Sequence, residues 1–192
     1  MNELNLPKWQ ANDQLEYVED EGQLYESLDD MAKEIGWIII RFNSLEGVIS
    51  YCIAELISRD PLQDERVNVF LSEMQYNGIS RALINLYGQL ISGSLDDEFL
   101  IELNTIEKSL SECGKRRNEY AHAEWTGIRE GNYVCVKTQA KKGGIFERFK
   151  KYDVEKIRTD IDFIIQTIDK LEEFHESINE ALVACYQYPP VR

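Results

Sequence analysis

A chain of 192 residues, 43% hydrophobic and 29% charged, is long enough to bury a core as one domain without metal or disulfide support. Its net charge of −14 at pH 7 argues against a general nucleic-acid coat, because such binding relies on neutralising phosphates. Cys52, Cys113, Cys135 and Cys185 are scattered, with no CxxC pair and no histidine at ligand spacing, so buried reduced thiols and no metal are expected. There is no basic-then-apolar leader, and the longest strongly apolar run, Trp37 to Ile40, is far too short to span a bilayer. A cytoplasmic protein without a membrane partner is the expectation.

In chain order, residues 1–26 are acidic, lack a steady period and contain Trp9, Tyr17 and Tyr25; they read as an N-terminal arm that docks through its aromatics. Ser27-Leu28-Asp29-Asp30 resembles a capping box. Met31, Ile35, Ile38, Phe42, Leu45, Ile49, Ile53 and Leu56 then recur every three or four positions, which predicts a long amphipathic helix over 28–58, ended by Asp60-Pro61. Val67 to Leu71 fits either a helix or a brief extended segment. A second helix is predicted over about 79–91 and is stopped by Gly93-Ser94. Ser94 and Asp97 cap a third, whose stripe is Phe99, Leu103, Ile106, Leu110 and Cys113. Gly114 interrupts that stripe and is expected to weaken or bend the helix by about 1 kcal/mol relative to alanine.

After Trp125 the pattern becomes β-branched and aromatic. Tyr133–Thr138 and Ile145–Tyr152 flank Lys141-Lys142-Gly143-Gly144, a hairpin over about 131–152. Val154, Ile157, Ile161, Ile164, Ile168, Leu171, Ile178 and Leu182 mark a last long helix over 153–184. The predicted fold is mainly α: an up-and-down bundle of four to five helices in one domain, 27–192, with one short β-hairpin before the last long helix.

The segment Lys115-Arg116-Arg117-Asn118-Glu119-Tyr120-Ala121-His122-Ala123-Glu124-Trp125 holds one of only two histidines. Residues 115–158 carry twelve basic residues against six acids, whereas 1–34 carry ten acids against Lys8 and Lys33. A permanent cation close to a side chain that titrates near neutrality suits a phosphodiester: guanidinium for phosphate oxygens, imidazole for the proton. At 100° per residue Asn118, His122 and Trp125 share one helix face, while Arg117 lies about 140° from His122. Arg117 also continues the apolar stripe, so it needs an acid, a carbonyl or a ligand anion. His175 falls on the stripe of the last helix and reads as a packed or partner-facing residue.

Arginine followed by asparagine, three residues and histidine, late in a central helix, resembles the motif of the HEPN superfamily, helical domains of prokaryotic toxins, defence proteins and RNA-processing enzymes. The long first helix with Phe42-Asn43-Ser44-Leu45-Glu46 and the long final helix are similar too. The likeness covers roughly 28–184, but only 116–125 is motif-specific. The resemblance implies a homodimer whose two motifs share a cleft. Within it Arg117 would grip the scissile phosphate, His122 would serve as general base or acid, and Asn118 would orient the ring or donate to phosphate. Attack by the RNA's own 2′-OH needs neither metal nor cofactor and confines the enzyme to RNA. Arg116, six positions before His122, fits the looser spacing, so the functional arginine stays open between the two. Lys115 and Arg116 are candidates for flanking phosphates, and Tyr120 and Trp125 for base stacking. Lys137, Lys141, Lys142, Arg148, Lys150 and Lys151 form a candidate track for the RNA backbone. An antitoxin or other regulatory protein is a candidate partner. Some HEPN toxins carry a modified tyrosine two residues after the histidine; Glu124 stands there in this chain. Two readings compete with the nuclease: a non-catalytic HEPN-like module that binds RNA, nucleotide or protein, and an adaptor bundle using its acidic arm and last helix.

Overall fold

The computed structural model describes residues 3–14, 21–58, 60, 66–94, 97–125 and 133–187, without the side chains of 12–14, 21–27, 93, 94, 97, 133 and 184–187. Tyr17, Pro61, the side chains of Ser94 and Asp97, and the Cys185 thiol therefore lie outside the described residues. The elements are β1 (Glu3–Pro7), α1 (Lys8–Gln14), α2 (Glu21–Ile57), α3 (Arg66–Ser72), α4 (Tyr76–Ser94), α5 (Asp97–His122), β2 (Tyr133–Lys141), β3 (Gly144–Lys151) and α6 (Val154–Gln187). The fold is mainly helical with a small antiparallel sheet, as the periodicities predict. Of the six helices, α1 and α3 are single short pieces beside the four long ones.

Two differences from the sequence expectation have physical causes. First, α2 begins at Glu21, so Ser27–Asp30 lies inside a helix rather than at its start; Glu21, Gln23, Leu24 and Glu26 are all good helix formers. Second, the acidic stretch is not simply an arm: β1 pairs antiparallel with β3, Leu4 opposite Phe149 and Leu6 opposite Glu147. Leu4 and Leu6 pack on Ala11, Cys135 and Phe149, whereas Trp9 is 69% exposed; Tyr17 and the Tyr25 side chain lie outside the described residues. The chain forms two compact units: Met1–Ile40 with Lys115–Asp162, and Arg41–Gly114 with Phe163–Arg192.

In the first unit the sheet order is β1-β3-β2. A register shift between Cys135 and Lys137 bulges β2 at Val136, which lets Val134, Cys135 and Val136 all be buried in succession. The hairpin turns at Lys142-Gly143, and Gly144 takes φ 123°, a left-handed-side conformation that favours glycine. Asp153 caps α6, its Oδ1 accepting the Lys156 amide at 2.7 Å. Arg158 donates through Nε and Nη2 to Glu34 Oε1, tying α6 to α2.

In the second unit the predicted stripe residues Phe42, Leu45 and Ile49 of α2, Leu83 of α4, Leu110 and Cys113 of α5, and Leu171 of α6 are all buried, and so are Tyr87 and Phe174, whose rings meet edge to face at 5.1 Å. Leu28–Ile57 has a mean hydropathy of 1.2, enough by length and composition to cross a membrane, which the four-residue run at Trp37 does not reveal. Its apolar positions Met31, Ile38, Phe42, Leu45 and Ile49 form the buried stripe of the helix.

Candidate functional site

Around residues 115–125 the structure separates two neighbouring arginines. Arg116 Nη1 donates to Asp160 Oδ1 at 2.7 Å, and Asp160, 2% exposed, also accepts from Lys156 Nζ and the Tyr120 hydroxyl at 2.6 Å each. A buried carboxylate is tolerable only when paired and hydrogen-bonded, and three donors on α5 and α6 meet that condition. Arg116 thus pins α5 to α6 through Asp160.

Tyr120 is 2% exposed. Burial first, then its hydrogen bond to Asp160, pushes its phenol far above the usual range, so it stays a neutral donor. Its ring stacks on Trp125, centroids 6.0 Å apart and planes 9° from parallel, and both rings tilt against Tyr152. Trp125 Nε1 donates to the Tyr120 carbonyl at 3.0 Å. A base cannot stack on the enclosed Tyr120 ring; Tyr120 and half-buried Trp125 brace the end of α5. The Glu124 amide bonds the Cys135 carbonyl at 2.8 Å, fixing the chain beyond His122 to β2, with the Glu124 side chain exposed.

Arg117, Asn118 and His122 are differently placed. Asn118 and His122 are exposed one turn apart on α5, and Lys115 is exposed as well. Arg117 is half-buried, and its Nη1 donates to Asn118 Oδ1 at 3.1 Å. That bond turns the guanidinium back toward the Asn118 side of the helix, against the 140° separation of an ideal helix. On the other side of His122, Glu119 accepts from Arg148 Nη2 at 2.9 Å, from Lys150 Nζ at 2.6 Å and from the Tyr152 hydroxyl at 3.3 Å. Two members of the expected basic track therefore have an acid partner, a contact that sequence spacing alone does not signal. Lys137, Lys141, Lys142 and Lys151 are exposed.

The second unit contains a buried polar chain. Glu55 Oε2 accepts from His175 Nε2 at 2.8 Å, which leaves Nδ1 to accept from the Tyr87 hydroxyl at 2.8 Å. His175 is a packed core residue, as its place on the stripe suggests. Burial pushes the Cys52 thiol up to about 11, which makes it a poor nucleophile at neutral pH. An apolar groove of about 730 Å³, lined by Ile53, Ile57, Val67, Phe70, Met74 and Leu86, lies beside α3. Among the described residues no three His, Cys, Asp or Glu side chains converge as a metal set. No family model matches the chain, and no curated protein or solved structure shows significant similarity to it.

Proposed function

We propose that the chain is a HEPN-type endoribonuclease that cleaves RNA without a metal, through Arg117, Asn118 and His122. The observation that carries this reading is the Arg117–Asn118 hydrogen bond of 3.1 Å beside exposed His122, with Arg116 committed to Asp160. In this reading Arg117, tied to Asn118, is the phosphate ligand. Arg117 holds the non-bridging oxygens, His122 takes the 2′-OH proton, the 2′ oxygen bonds phosphorus, and the 5′ oxygen leaves with a proton. A 2′,3′-cyclic phosphate and a free 5′-OH result. One helix presents one histidine, so the second proton-transfer group comes from a second copy in a homodimer. Lys115 contacts a flanking phosphate. The reading places the protein in the cytoplasm, where free buried thiols such as Cys52, Cys113 and Cys135 stay reduced. Toxin–antitoxin, phage-defence or stress-response roles, with a restraining protein partner, follow from such an activity.

Purified protein is expected to cut single-stranded or structured RNA in EDTA, to leave DNA intact, and to yield cyclic-phosphate ends. His122→Ala is expected to lower the rate by about 10²–10⁴-fold. Intact RNA in both substrates would end the proposal. A second reading, a non-catalytic RNA-binding module, is favoured by the exposed Lys137, Lys141, Lys142 and Lys151 of the hairpin, which can meet phosphates without a proton-transfer group. It predicts saturable binding without cleavage, lost in Arg117→Ala and kept in His122→Ala.

A further inference from the structure

The α5-facing side of the sheet concentrates positive charge at one place. Along β3, Arg148 and Lys150 alternate with buried Glu147 and Phe149, and Lys137 of β2 lies directly opposite Arg148. Like charges on directly opposed strand positions repel, so an anion nearby stabilises this arrangement. Glu119 supplies one, with Arg148, Lys150 and Tyr152 all donating to its carboxylate. Glu3, 3.7 Å from Arg148 Nε, supplies a weaker second. Arginine forks, ammonium groups and phenols are also the donors that phosphate oxygens take in preference. The Glu119 side chain is 22% exposed, Arg148 30% and Lys150 29%. Asp160, by contrast, is 3% exposed and cannot exchange partners without opening the core. Around α5, Glu119 lies about 60° from His122, on the side away from Asn118.

We propose, resting on the RNA-binding reading of this site, that Glu119 stands in for a substrate phosphate in the free protein. Single-stranded RNA displaces it from Arg148 and Lys150. The displaced carboxylate turns to water, and successive phosphates run from Arg148 and Lys150 across the His122 stripe to Arg117. The acid thus acts as an intramolecular competitor: it lowers affinity for isolated anions and short fragments, and admits a chain that offers several phosphates at once. This reconciles a strongly acidic protein with a nucleic-acid substrate, because the basic surface is held closed until a polyanion engages it.

The test uses the full chain and a short single-stranded 2′-O-methyl RNA, which lacks the attacking hydroxyl, with binding read by fluorescence anisotropy. Glu119→Gln is expected to tighten binding about fivefold and to steepen its salt dependence. Arg148→Gln and Lys150→Gln, each in the otherwise unchanged chain, are expected to weaken binding about threefold to tenfold. Unchanged or weaker binding by folded Glu119→Gln overturns the proposal. If circular dichroism shows that this variant has not folded, the two β3 variants decide, and unchanged affinity in both overturns it. Cleavage of unmodified RNA is read separately. Tighter binding by Glu119→Gln without any cleavage removes the nuclease reading and keeps the competitor; cleavage with no gain in binding does the reverse.

Discussion

Arg116 and Arg117 are adjacent, identical in chemistry and both half-buried, but their guanidiniums hold different partners. The first is held by a carboxylate with almost no access to water; the second reaches the exposed side chain of Asn118. Arg116→Ala is therefore expected to cost about 1–2 kcal/mol in urea denaturation, less than the about 3–5 kcal/mol of a fully broken buried pair, because Lys156 and Tyr120 still donate to Asp160. Arg117→Ala is expected to act on cleavage instead, lowering it at least about 10²-fold. Measuring both quantities on both variants separates the two roles; a larger cleavage loss in Arg116→Ala than in Arg117→Ala would reverse the assignment. Spacing before His122 left this choice open. Asp160 lies 44 positions beyond Arg116 and is one of several acids on the last helix, so nothing local marks it as the partner.

At the level of elements, the long helices were readable because each repeats its apolar positions over many turns, from Phe42 to Ile53 and from Ile157 to Ile178. β1 was not, because two alternating leucines among polar residues are too short a pattern to stand out, and their partner strand lies some 140 positions away. Gly114 was legible as an exception to a stripe but not in its cause. Helix α5 continues through it to His122, and a Cβ there would sit 2.8 Å from the Tyr76 ring. Tyr76 in turn donates to the Leu110 carbonyl at 2.7 Å and packs on Phe42 with ring centroids 4.5 Å apart. Glycine at this position permits the close approach of Tyr76. Gly114→Ala is thus expected to destabilise by about 1–3 kcal/mol despite its better helix propensity, and a thermal melt that rises instead would contradict this.

For the whole molecule, acid stability is expected to depend on Glu55. Burial alone would raise its pKa, but hydrogen bonds from His175 and Tyr51 outweigh burial and hold it below the ordinary carboxylate range. A folded value below the unfolded one, about 4.3, means the contribution is complete above that pH and lost as pH falls through the folded value. The urea midpoint should drop over that interval in the parent protein, and Glu55→Gln should flatten the drop. An equal pH dependence in both proteins would remove Glu55 as its source. The charge asymmetry of the sequence marked the basic residues around the hairpin, of which Lys137, Lys141, Lys142 and Lys151 are exposed. It did not show that Glu119 and Glu3 already meet part of that charge, since both contacts form only when distant segments pair.

The place of β1 has a practical side. With Glu3–Pro7 in position, β3 has a neighbour on each flank; without them its backbone amides and carbonyls would face solvent as an open template. A shortened version starting after Pro7 is expected to recruit strands from other molecules and precipitate, so a purification handle belongs at the opposite terminus.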